Sequence, residues 1–317
     1  MRRVLVTGAG GAAGVAVLRA LAEAGVTTVA ADPDALAAGR YLADADTTVP
    51  DASDPRFAAT VVHAAVAHEV DAMISTVAEE MPTLSTVTDE LAAAGVSIWL
   101  SPADTVETCV DKQRFAKAAQ SAGLPIPPTA VGTADGVPGP WIVKPRFGRG
   151  SRDVHRVDTA DVLDAALGDT PDTIVQTRVG GREFTVDVLV DRDGRVAGAV
   201  PRWRIETKAG ISTKGETFSD ERVTELVQST VAALALEGVL NLQGFVTDDP
   251  EVPVVLIEVN PRFSGGLPLS LAAGADLVGE FLRGTLGQAI RPERLQHRDG
   301  VVMTRYLAEV FTKRGAP

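Results

Sequence analysis

The chain has little of what redox, thiolate and histidine sites are made from. Its 317 residues include one cysteine, Cys109, and four scattered histidines, His63, His68, His155 and His297. A single cysteine excludes an intrachain disulfide framework, a thiolate zinc cluster and a Cys-x-x-Cys redox pair. Cys109 falls mid-helix with no histidine motif beside it, and reads as packing rather than as a nucleophile. Positive charge is also the minority sign: 30 Lys and Arg stand against 42 Asp and Glu, a net charge of −12. That balance argues against non-specific binding to nucleic acid or to an anionic membrane, since both reward clustered cations. No apolar run approaches the length of a membrane span, and the N-terminus runs directly into Val4-Leu5-Val6. Neither a signal segment nor an anchor is expected, and a reducing cytoplasm is the expected compartment.

What the chain does have is enough apolar material, 45%, to supply two or three domains that share clefts. Residues 2–25 read as a short buried strand, a glycine turn and a helix with Val15, Leu18, Leu21 and Ala22 at helical spacing. This is how a doubly wound α/β domain opens. Gly8, Gly10, Gly11 and Gly14 resemble a dinucleotide fingerprint, and Asp32 ends the next strand near the position that binds a ribose. Close packing of a helix on a sheet would select the same glycines, so NAD(P) binding and a structural turn both stay open. Residues 71–76 read as a later strand, with Glu79-Glu80 on a solvated loop after it. Ser101 is expected to cap a helix running from Pro102 to Ala122, before the proline-rich connector at 123–128.

Beyond the connector, Trp141 to Pro145 forms a strand that carries Lys144 at its end, and Arg146 to Ser151 continues as a basic glycine loop. A lysine suits bridging phosphate oxygens, and glycines let backbone amides close over them. Each alone could equally be a surface cation or a plain hairpin. Residues 173–176 read as a strand. Residues 183–190 alternate, so Glu183 and Asp187 share one face, and a turn at 191–194 leads into a second strand with Arg202 and Arg204 on one face. The helix from Glu221 to Leu236 is structural. Val254 to Val259 is a β-branched strand that turns abruptly polar at Glu258, Asn260 and Arg262 before a glycine pair. Glu258 and Asn260 are two residues apart and leave the same face, and a hairpin with residues 241–246 places Gln243 beside them. One carboxylate, amide oxygens and a guanidinium suit a hard cation that shares its ligands with a polyphosphate. A solvated ion pair at a strand end is the plain alternative.

Taken in order, Lys112, Lys144 with its glycine loop, Gln176, Glu183, Arg202, Gln243 and Glu258-Val-Asn260-Pro-Arg262 resemble the ATP-grasp superfamily. The likeness is strongest to the half-modules of carbamoyl phosphate synthetase and to amino-acid ligases, and it covers nearly the whole chain. It implies an α/β plus α+β fold: a doubly wound pre-ATP-grasp domain at 1–102, then ATP-grasp subdomains at 103–170 and 171–317. It also implies ATP in the cleft between those subdomains. Lys112 and Lys144, with Gly148, Gly150 and Ser151 of the loop, would contact the phosphates. The backbone after Gln176, at Thr177, would contact adenine, and Glu183 the ribose. Gln243, Glu258 and Asn260 would hold Mg²⁺, or Mn²⁺ in its place, while Lys144, Arg202 and Arg262 offset charge at the reacting phosphate. Gln243 stands where many relatives carry an acid, and Thr177 where they often carry glutamate. The implied activity is an ADP-forming ligation of a small carboxylate to an amine through an acyl phosphate. The expected partners are small molecules and, by analogy with the family, a second copy of the chain. A non-catalytic ATP-binding module and a nicotinamide-dependent reductase are the alternatives.

Overall fold

Three sheets carry the fold in a computed structural model that describes residues 2–148, 153–167 and 172–312. The first is parallel. It contains β1 (Arg3–Thr7), β2 (Thr27–Asp32), β3 (Ala45–Thr48), β4 (Ala72–Ser75) and β5 (Ser97–Ile98), in the order β3-β2-β1-β4-β5. Its central strands β1, β2 and β4 are buried because both faces are covered. Val4 and Val6 join Val17, Leu18 and Leu21 of the helix Ala12–Glu23, whereas Leu5 and Met73 join Phe57 and Val61 of the helix Phe57–Ala67. The expected doubly wound domain is therefore present.

The helix expected over 102–122 is two helices, Ala103–Val110 and Lys112–Ser121, broken at Asp111. Asp111 is extended (φ −92°, ψ 104°), and its carboxylate accepts from the amides of Gln113 and Arg114, capping the second helix. Ser101 does not cap the first. Its hydroxyl donates to the Glu237 carbonyl at 2.5 Å and ties the first domain to the last sheet.

The second sheet is antiparallel and comprises β6 (Thr129–Val131), β7 (Trp141–Pro145), β8 (His155–Val157) and β9 (Thr173–Thr177), ordered β6-β9-β7-β8. It runs past residue 170 to include β9, so the division between sheets falls between Thr177 and Arg182.

The third sheet holds β10 (Arg182–Val190), β11 (Val196–Lys208), β12 (Ile211–Thr217), β13 (Gly238–Val246), β14 (Val254–Asn260) and β15 (Val302–Thr304). Its order is β14-β13-β10-β11-β12-β15, and every neighbouring pair is antiparallel. Both hairpins read from the sequence are formed. One face of this sheet is apolar: Phe184, Val186, Val188, Leu240, Leu242 and Leu256 pack against the helix Glu221–Ala233. The other face is divided. Its lower part, Leu189, Val200 and Val239, shares a core with Phe281 and with helix Ala12–Glu23 of the first domain. Its upper part is polar, and the rest of the fold brings groups to that part.

Candidate functional site

Strand pairing assembles the polar strip. Glu183, Thr185 and Asp187 alternate along β10. Thr185 lies opposite Arg202 on β11 and Gln243 on β13, while Asp187 lies opposite Asn241. On β14, Glu258 faces Gln243 and Asn260 faces Asn241. Residues far apart in sequence thus share one face because the side-chain period of a strand is two. The hydrogen bonds within the strip are directional. Asn260 Nδ2 donates to Glu258 Oε1 at 3.0 Å, and Arg262 Nη2 donates to Asn260 Oδ1 at 3.2 Å. Gln243 Nε2 donates to Glu183 Oε1, and Arg204 Nε lies 3.1 Å from the same oxygen.

The second sheet and the helix Lys112–Ser121 contribute the cations. Lys144 is 8% exposed, and its ammonium donates to Gln176 Oε1 at 2.9 Å, while Gln176 Nε2 donates to Thr129 Oγ1 at 2.9 Å. Burial pulls the Lys144 pKa down to about 8 against the opposing pull of Glu258, and the neighbouring Lys112 lowers it further. Lys112 is lowered as well, first by burial, with Glu258, Glu79 and Asp111 acting the other way. For Glu258, burial alone would raise the carboxyl. The Lys144 ammonium, the Asn260 amide, Lys112 and Arg262 together hold it below its usual value. A lysine from the second sheet, a lysine from the start of the helix Lys112–Ser121 and a carboxylate from the third sheet therefore share one electrostatic centre. The narrow cleft between them is walled by Phe115, Ile126, Ile174 and Ile257, with Lys112 and Lys144 inside.

The base of the glycine loop is fastened to this centre by residues that the sequence reading left aside. Arg146 makes a bidentate pair with Asp111, Nε to Oδ1 at 2.7 Å and Nη2 to Oδ2 at 2.5 Å. Lys112 Nζ donates to the carbonyls of Arg146 at 3.3 Å and Gly148 at 3.0 Å. Gly148 has φ +117°, a conformation glycine adopts without strain. Gly150 and Ser151 lie outside the described residues. The amides following Gln176 are already engaged: Thr177 N–H donates to the Pro128 carbonyl at 3.0 Å and Arg178 N–H to that of Pro140 at 2.8 Å. The expectation that this backbone faces an adenine edge meets amides spent on holding the sheet.

Two other expectations change. Arg202 is 2% exposed rather than set in the open cleft, with Nη2 bonded to Asp187 Oδ1 and to Ser264 Oγ, both at 2.9 Å. Asp187 also accepts from Ser270 and Asn241. Gly266 lies directly over the guanidinium, so a Cβ there would sit 2.0 Å from Nη1. Arg202 is consequently a buried strut under the Gly265-Gly266 turn, because Asp187 on the neighbouring strand is its closest counter-charge. Glu80 is not solvated either. It is 4% exposed and accepts from the hydroxyls of Thr7 and Ser75, which fixes the loop that carries Glu79 toward Lys112.

Arg305 was not singled out from the sequence, since nothing around it marks the tail. It follows β15 and donates from Nε to the Ser212 carbonyl at 3.0 Å and from Nη2 to that of Gly265. Burial lowers its pKa, and the like charge of Arg202 lowers it further. Among the described residues no carboxylate forms an ion pair with it.

The glycine turn of the first domain is closed on itself. Gly10 N–H donates to Asp32 Oδ2 at 2.7 Å, and Asp34 N–H donates to Asp32 Oδ1 at 3.0 Å. A Cβ on Gly14 would lie 2.2 Å from the Gly8 carbonyl oxygen, and one on Gly10 2.9 Å from Ala37. These glycines serve close packing, and Asp32 takes the Gly10 amide. Cys109 is buried, its thiol pushed up to about 12 by burial, as suits a packing residue. No helix among the described residues is long and apolar enough to cross a membrane.

Comparison with known proteins supports the fold. Residues 169–309 match the family model described as ATP-grasp in the biosynthetic pathway with Ter operon, and residues 4–99 match the PylC-like N-terminal domain. The carbamoyl phosphate synthase large chain of Vibrio cholerae is 28% identical over 229 residues, which cover 64% of this chain and 21% of that one. The chain thus spans about a fifth of the length of that relative. In fold it resembles N5-carboxyaminoimidazole synthetase from Staphylococcus aureus complexed with ADP, with TM-score 0.74 and 15% identity over 92% of this chain and 78% of that one. It also resembles L-amino acid ligase from Bacillus licheniformis, with TM-score 0.71 and 16% identity over 92% and 75% of the respective chains.

Proposed function

We propose that this chain, an ATP-grasp protein with a PylC-like N-terminal domain, is an ADP-forming ligase that joins a small carboxylate to an amine, with amino acids as the leading substrate class. The observation that carries this reading is the meeting of Lys112 and Lys144 with Glu258, itself paired across the hairpin with Gln243. Binding a nucleotide base needs no such cluster. Transferring a γ-phosphoryl group does, because attacking carboxylate and phosphate are both anionic and must be held in line.

The donor set fits a divalent cation of the Mg²⁺ kind. Gln243, Glu258 and Asn260 offer only hard oxygen ligands, with a single carboxylate among them, so nucleotide phosphates and water must supply the rest. When bound, the cation would polarise the phosphate and offset its charge. This chain's own residues do the remainder. Lys112 and Lys144 hold phosphate oxygens, and Lys112 brings the glycine-loop base with it through the Gly148 carbonyl. Arg262 keeps Asn260 oriented and adds charge near Glu258. We assign Arg305, rather than the ion-paired Arg202, to the substrate carboxylate. In the reaction a carboxylate oxygen attacks the γ-phosphorus and ADP leaves. The amine then attacks the acyl carbon, loses a proton and expels phosphate. Closure of the β11–β12 turn would keep water from the acyl phosphate.

The deciding experiment incubates the protein with Mg-ATP and pooled amino acids and amines, following nucleotide and new masses together. ADP with a product equal to two pool members less one water establishes ligation and names both substrates. ATP binding without ADP under every pool would place the chain among non-catalytic nucleotide-binding modules.

A further inference from the structure

We infer that Asp111 and Arg146 are positioning residues whose pair fixes where the Lys112 ammonium stands relative to Lys144. The inference rests on reading both lysines as holders of nucleotide phosphates. They come from different elements, the start of the helix Lys112–Ser121 and the strand β7. Asp111 directly precedes Lys112, and Arg146 follows Lys144 by two residues. Their bidentate pair therefore ties helix start to strand end beside the two lysines. Each partner is held from its other side as well. Asp111 is buried, and its Oδ1 also accepts from the amides of Gln113 and Arg114. The Arg146 N–H donates to the Asp172 carbonyl at 3.0 Å, and its Nη1 lies 3.4 Å from Asp172 Oδ1. A guanidinium fork on a carboxylate fixes direction as well as distance, which an ammonium cannot do.

Lys112 needs such a guide. It is a point charge on a flexible four-carbon stem, and the acids Glu258 and Glu79 both act on that charge. Drawn onto Glu258, it would neutralise the carboxylate that a cation needs and leave the phosphates unattended. Its bonds go instead to neutral carbonyls. The Arg146 carbonyl accepts from both the backbone N–H and Nζ of Lys112, each at 3.3 Å, and the Gly148 carbonyl accepts from Nζ at 3.0 Å. A closed ring results, from Asp111 along the backbone to Lys112, across to the Arg146 carbonyl, and back through the guanidinium. An ammonium held by carbonyls can pass to a charged phosphate, because bonds between two ionised partners are the stronger kind.

Charge and position make opposite demands on Asp111→Asn. The variant keeps a helix cap, since asparagine caps as well as aspartate, but it gives up the ionic fork. On charge alone, removing an acid beside two phosphate lysines would tighten nucleotide binding. On position, it should weaken it. The test measures the affinities of ADP and adenosine for the whole chain by calorimetry with Mg²⁺ present. Asp111→Asn should weaken ADP by about tenfold, the difference between a charge-assisted and an ordinary hydrogen bond. Adenosine, which has no phosphate, should stay within about twofold. Arg146→Lys keeps the charge without the fork and should move ADP in the same direction. Added to Lys112→Ala, Asp111→Asn should change ADP affinity by no more than about twofold, because the residue through which it acts is gone. Unchanged or tighter ADP binding in Asp111→Asn overturns the inference. So do equal losses for ADP and adenosine, which would make the pair a fold contact only, and a full tenfold loss in the Lys112→Ala background. If the wild type binds ADP no more tightly than adenosine, the reading of the lysines as phosphate ligands fails first and this inference with it.

Discussion

The glycine turn of the first domain and the polar strip of the third sheet both look like ligand sites in sequence, yet they differ in how their polar groups are satisfied. In the turn, Asp32 answers the Gly10 and Asp34 amides, and the glycines admit backbone that a side chain would block. In the strip, Glu258 is compensated by ammonium groups from another sheet and from the helix Lys112–Ser121, and that of Lys144 is buried at a cost that lowers its pKa to about 8. Thr185 Oγ1 and Arg202 Nε lie buried with no hydrogen-bond partner among the described residues. Natural proteins pair most buried polar groups, so a region that does not is organised around something else. Unspent polarity, more than motif shape, separates the binding face from the packed one.

The largest break in that contrast should come from Glu258→Gln. The variant keeps shape and hydrogen bonding but removes the only carboxylate among the three proposed cation ligands, so turnover should drop by about two to three orders of magnitude. A far-ultraviolet circular dichroism spectrum like that of the wild type would show that the loss is chemical. Turnover within a few-fold of the wild type would take the cation away from this strand.

A smaller and sharper test uses pH. The Lys144 ammonium is lost as pH rises through about 8, so nucleotide affinity should be level below that pH and fall about tenfold per unit well above it. Lys144→Arg stays charged and should flatten this limb, even if its affinity is lower at every pH. Stability runs the other way. Between about 8 and 10.5 the unfolded chain keeps a proton that the folded chain has released, so this group favours folding increasingly as pH rises. An affinity limb that persists in Lys144→Arg would assign it to another group.

Much of the strip was legible because strands carry their own coordinate system. Alternation placed Glu183 with Asp187 and Glu258 with Asn260, and a turn signal brought Gln243 beside them, as the β13–β14 register has it. What could not be read was pairing between elements. Whether Arg202 meets a substrate or Asp187 depends on two strands side by side, and Asp187 alone looks like any acid on an alternating strand. Arg305 acquires meaning only when β15 joins β12 and sets it against Gly265. Glu80 looked solvated because two acids follow a strand, and only the fold shows Thr7 and Ser75 beneath it. The helix break at Asp111 was not read, although Thr108, Cys109 and Val110 before it are weak helix formers and an aspartate is a common N-cap, and the break serves the Arg146 pair.

The least effect on catalysis should follow from Asp32→Ala. It removes the acceptor of two amides, a loss of about 1–3 kcal/mol if they stay buried, measurable by urea denaturation. Ligase turnover should stay within about twofold, because Asp32 touches none of the groups placed around the phosphates. Nicotinamide nucleotide should bind neither form, since Ala37 still fills the space beside Gly10. A large drop in turnover with small loss of stability would contradict this division of labour. The glycine turn would then belong to the substrate site, and its internal satisfaction would describe only the state without substrate.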